Sequence, residues 1–241
     1  MGERYKAAQL LKSLWRDWEP NTEFNDVLAE GFKAVEKLGL PLAIAAWIAV
    51  LAGAIGMAIV LRPARTRGVW LPAFVVGITA LTAHVLDFAV TLRMSPDLEA
   101  EANPIWRIVI DNWGLSVAKL YGFTGKVLLS ILSFELFAYY LGQRECLFPD
   151  RAERFSIFWR HFGAGYPSGL VQWQNLASFF AYSFSLLGPF FFYVALLNSL
   201  SNSTLYLRFP SMPMALAGYL AALAVSYFVV TYRAFRRRGG D

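Results

Sequence analysis

The chain has 241 residues, 57% of them hydrophobic and 16% charged, with a mean hydropathy of +0.44. A soluble domain is about 45–50% apolar and about 25% charged, so an ordinary aqueous fold is excluded. The 8 Trp, 11 Tyr and 20 Phe rule out a solvated disordered chain, and a lone Cys146 rules out an intrachain disulfide scaffold.

Residues 1–40 mix both signs of charge and lack the short apolar core of a cleaved signal, so this segment is expected to be retained. Leu11, Leu14, Trp15 and Trp18 fall on one helical face, and Phe24, Leu28, Phe32 and Val35 repeat the pattern after Pro20. Two amphipathic helices follow, resting either on the membrane or a partner, or on loops of this same chain.

A bilayer core of about 30 Å takes about 20 apolar residues in helical form. Five stretches qualify: 41–61, 69–92, 115–141, 173–198 and 213–232. Their backbone amides must be bonded internally, which predicts an all-α polytopic bundle, with residues 41–232 as the transmembrane domain and 233–241 as a basic tail. Arginines cluster after the first span (Arg62, Arg65, Arg67), after the third (Arg144, Arg151, Arg154, Arg160) and in the tail (Arg233, Arg236, Arg237, Arg238). By the positive-inside rule these segments and the C-terminus are expected on the cytoplasmic side of a multi-pass membrane protein. Lys33 and Lys37, close to the first span, sit awkwardly with an N-terminus outside. Phe155, Phe158, Trp159 and Phe162 form a helical stripe among arginines, expected to lie in the headgroup layer against anionic lipid. The pI of 9.4 is thereby assigned to membrane orientation, and no nucleic-acid-binding motif occurs.

Ionisable groups inside spans cost on the order of 2.5–3.5 kcal/mol each and are usually paired or functional. Here they are His84 and Asp87 in the second span, and Lys119, Lys126 and Glu135 in the third. His84, Asp87 and Thr91 share one face of their helix; Lys119 and Lys126, seven apart, share one face of theirs. Counting helical rise from the outer ends puts Asp87 and Lys119 at one level, which predicts an Asp87–Lys119 ion pair with His84 and Lys126 deeper. Glu135 falls on the opposite face from Lys126. Between the spans, Asn103 and Pro104 read as a cap and first turn of a short helix ending near Gly114, and Glu101 could fold back over Asp87 and His84. His84, Asp87 and Glu101 are weak candidates for a divalent metal, since no two of them have the close spacing of a metal motif. Small residues at Ala52 and Gly56 suggest helix packing, Pro189 after Gly188 a kink, and Gln174 and Asn175 a span entrance open to water.

Leu86-Asp87 with Thr91, then Glu101-Ala102-Asn103-Pro104, then Lys119 resembles the pattern of a family of small prokaryotic integral membrane proteins of unknown function. The resemblance covers residues 82–141. It implies that the polar hairpin is a unit, and it implies no activity or cofactor.

Three functions are compatible with these residues. The first is a non-catalytic subunit or assembly partner of a membrane complex, alone or as a homo-oligomer. The second is a proton, ion or solute carrier built on Asp87, Lys119 and His84. The third is an intramembrane metal-dependent enzyme, for which the sequence offers no recognisable nucleophile or ligand set.

Overall fold

A computed structural model describes residues 22–61, 67–98, 104–143, 155–164, 169–201, 203, 205, 209–210 and 212–237. Side chains are described from residue 39 onward, apart from 60, 61, 67, 104, 157, 161, 163, 164, 169–172, 213 and 237. Among the described residues there are helices and no strands: α1 (Thr22–Leu61), α2 (Arg67–Met94), α3 (Pro104–Gln143), α4 (Phe155–Ala164), α5 (Gly169–Ser185), α6 (Phe190–Leu200) and α7 (Met212–Arg237). Five segments are long and apolar enough to cross a membrane: Gly39–Ile59, Gly68–Met94, Ile105–Gln143, Trp173–Leu200 and Met214–Arg236. The chain is an all-α, multi-pass integral membrane protein. The expected amphipathic helix before Pro20 lies outside the described residues.

Backbone breaks subdivide the longest helices where the residue chemistry requires it. Gly39 has φ 54°, which separates residues 22–38 from the first span. Pro41 then stands in the first turn of that span, where its missing N–H has no intrahelical acceptor. Gly114, at φ 81°, likewise separates a short helix from the third span, as the Asn103-Pro104…Gly114 pattern expects. The fourth crossing is divided between α5 and α6 by a turn over residues 186–189. There the Phe190 amide bonds back to the Leu187 carbonyl, so the Leu186 carbonyl loses its donor four residues ahead. The Tyr219 hydroxyl of α7 supplies one at 2.5 Å. A polar group freed in a low-dielectric interior needs such a partner.

α3 is the hub, packed against α1, α2 and α5, while α2 also packs on α6 and α7 closes over α5. Small residues set these approaches. A Cβ on Gly77 would stand 2.8 Å from Phe134 Cβ, and one on Gly188 2.4 Å from Ala80 Cβ. The Trp106 indole lies where a Cβ on Gly122 would be, which docks the 104–113 segment onto the third span. At the other end, Tyr140, Tyr182 and Tyr227 meet edge to face and tilted, with centroids 4.9–5.9 Å apart, joining α3, α5 and α7.

The aromatic stripe on α4 is divided between α7 and the surface. Phe158 is fully buried against Phe228, Tyr232 and Phe235 of α7, and Phe162 also packs on Phe228. Only the edge formed by Phe155 and Trp159 is exposed. A stripe that enters a headgroup layer and one that enters a helix interface have the same 3.6-residue period, so spacing could not separate them.

Candidate polar site between α2, α3 and α6

Asp87, which is 6% exposed, is drawn in by the apolar flanks of α2 and meets Lys126 of α3. Lys126 Nζ lies 2.5 Å from Asp87 Oδ2. Asp87 Oδ1 accepts a second hydrogen bond, at 3.3 Å, from the side-chain amide of Asn198 at the end of α6. Both carboxylate oxygens are thus taken up within the bundle, by two different helices. The Lys126 ammonium also stands 5.0 Å from the Phe191 ring centroid, within range of a cation–π interaction.

One turn away, His84 is 3% exposed. Its Nδ1 lies 3.2 Å from both the Lys126 carbonyl and Ser130 Oγ, and Ser130 itself donates to the Lys126 carbonyl at 2.8 Å. With its hydrogen spent on that carbonyl, Ser130 can only accept from His84. The Lys126 carbonyl can only accept as well, so these contacts place a proton on Nδ1. Phe191 packs edge-on against the imidazole with centroids 4.5 Å apart. One phenylalanine of α6 therefore contacts both cationic candidates.

The expected Asp87–Lys119 pair is corrected to Asp87–Lys126. Gly77 opposite Phe134, His84 opposite Ser130 and Phe88 opposite Phe123 define an antiparallel register in which Lys126 stands level with Asp87. Lys119 is seven residues, about 10 Å, nearer the loop end. Helical rise measured from the ends of the apolar stretches missed this because the two spans face each other with an axial offset that the ends of the stretches do not reveal. Both lysines lie on one helical face, so sequence periodicity could not choose between them.

Thr91 is partly buried one turn above Asp87, and its carbonyl accepts from the Ser95 amide. Glu101 and Asn103 lie outside the described residues. Among the described residues no group of three or more His, Cys, Asp and Glu side chains could hold a metal. Of the three metal candidates, His84 and Asp87 are described, and each Asp87 oxygen accepts a hydrogen bond from the chain. Glu135 is buried, and its Oε2 has no hydrogen-bond partner.

Sequence reasoning overlooked Ser130, Asn198 and Phe191. Ser130 was recoverable, being four residues from Lys126 on the same face. Asn198 read only as the polar end of a span, and Phe191 carried no signal among neighbouring phenylalanines. Comparison of the chain with protein-family models, curated proteins and solved structures gives no match.

Proposed function

We propose that this protein is a non-catalytic integral membrane subunit or assembly partner, and that Asp87, Lys126 and Asn198 form a clamp fixing the register of α2, α3 and α6. The supporting observation is that each Asp87 oxygen accepts a hydrogen bond from a different helix of the chain itself. Fixing register is the best-attested use of a buried polar pair. The resemblance of residues 82–141 to small prokaryotic membrane proteins fits a hairpin held together as a unit.

The test is a double-mutant cycle on Asp87→Asn and Lys126→Met in lipid nanodiscs, read by thermal unfolding. A clamp requires each single variant to lose stability and the double variant to regain most of it. Additive losses would remove the clamp.

A second reading, a proton or small-ion carrier, is favoured by one observation. The break at residues 186–189 lies just before Phe191, which contacts His84 and Lys126, and interrupted helices are where carriers place their binding sites. Proteoliposomes containing a pH-sensitive dye separate the two readings. Flux above empty vesicles, lost in a folded Asp87→Asn/Lys126→Met double variant, establishes the carrier; flux no greater than empty vesicles leaves the clamp.

A further inference from the structure

Exposed charge is segregated between the two ends of the bundle. The exposed acids among the described residues, Asp97 and Asp111, stand at the end that holds the α2–α3 connection. The opposite end, where α3 and α7 finish and α4 lies, carries exposed Arg160, Arg233 and Arg236, and no exposed acid among the described residues. The salt bridge found among those residues is Lys126–Asp87, so the three guanidinium groups have no acidic partner there. Arg233 and Arg236 occupy the last turn of α7, where a helix C-terminus by itself favours cations. Arg160, inside α4, has no such reason.

The same end carries an aromatic edge. α4 crosses the final turns of α7: Phe158 is enclosed by Phe228, Tyr232 and Phe235, and Phe155 meets Phe228 and Tyr232 edge to face with centroids 6.1 and 5.5 Å apart. Phe228 and Phe235 are about 10 Å apart along the α7 axis, so α4 is held level with the terminal turns of that span. Going round α4 from the face on α7, Phe158 and Phe162 come first, then Phe155 and Trp159, then exposed Ser156 and Arg160. Phe155 and Trp159 are half exposed, and Trp173, 71% exposed, opens the fourth crossing at this same end. Rings placed so favour the boundary between acyl chains and headgroups. Arg236 is one turn beyond Tyr232, which packs on Phe155, so a cation flanks the aromatic edge.

We propose that Phe155, Trp159, Arg160, Arg233 and Arg236 form a docking surface for acidic phospholipid. The two rings lie against the upper part of an acyl chain, and the guanidinium groups meet the phosphate and the excess negative charge of the headgroups. Charge complementarity selects this occupant. A zwitterionic lipid brings its own cation to three arginines that lack acidic partners, and a soluble anion leaves the aromatic edge uncovered. The proposal is independent of the clamp.

The test is Trp159 fluorescence of the full chain in phosphatidylcholine nanodiscs carrying an equal, small fraction of either brominated phosphatidylglycerol or brominated phosphatidylcholine. A Trp159→Phe variant is subtracted to isolate the signal, and bromine quenches only on close approach. The phosphatidylglycerol form should quench Trp159 several-fold more strongly. The triple variant Arg160→Gln/Arg233→Gln/Arg236→Gln should bring the two lipids level, and added salt should narrow the difference in the unsubstituted chain, which reads the same point without a substitution. Equal quenching by the two lipids in the unsubstituted chain overturns the proposal. A preference that survives both the triple variant and salt also overturns it. Quenching by neither lipid overturns it as well, since Trp159 is then covered by water or by a protein partner.

Discussion

Asp87 and Asn175 are equally hidden, each 6% exposed, yet their surroundings are built on opposite rules. The acid has both oxygens engaged by side chains of two other helices, and the lysine opposite it also faces an aromatic ring. The amide has neither its nitrogen nor its oxygen engaged among the described residues. Leaving a charge unpaired in a low-dielectric interior is costly, and the clamp pairs this one within the chain. The burial is the same in both places, and the hydrogen bonding is not.

The comparison is broken most severely at the clamp. Asp87→Asn or Lys126→Met alone strands one buried charge and should cost about 3–5 kcal/mol of stability, with the double variant recovering much of it. Chemical or thermal unfolding in nanodiscs measures both. Next in size, Gly188→Ala places a Cβ 2.4 Å from Ala80 Cβ and 2.9 Å from the Ala80 backbone. It should cost about 1–3 kcal/mol by forcing α6 away from α2. If the clamp depends on that approach, the variant should also weaken the coupling energy between Asp87 and Lys126.

A finer probe is Asn198→Leu, which removes one donor from the carboxylate. Since hydrogen bonds to charged groups are worth about 1.5–3 kcal/mol and this one is long at 3.3 Å, a loss near the lower figure is expected. Smallest of all, Lys119→Met should shift stability by no more than about 0.5 kcal/mol, the range of substitutions away from buried networks. A loss comparable to that of Lys126→Met would return Asp87 to the partner first expected from the sequence.

Much of this was legible before any coordinates. His84, Asp87 and Lys126 stood out because ionisable groups are rare in apolar helices, and two of them do form the ion pair. The breaks at Gly114 and near Pro189 were legible from backbone chemistry. The choice between Lys119 and Lys126 was not, because residues seven apart repeat on one helical face and only the axial offset separates them. Asn175 was misread for a related reason: its position near a span end says how close solvent is, and says nothing about whether α7 covers the side chain.

By itself the sequence determined the solvent and the secondary structure of this protein. Runs of apolar residues as long as a bilayer is thick can satisfy their amides only as helices, and that requirement is local to each run. Only the tertiary structure decided which helices touch, at what register, and which polar groups are closed by the chain. Those outcomes rest on contacts such as Trp106 on Gly122 and Gly188 on Ala80, between residues distant in sequence or set by loop geometry. No periodicity within a single helix encodes such contacts.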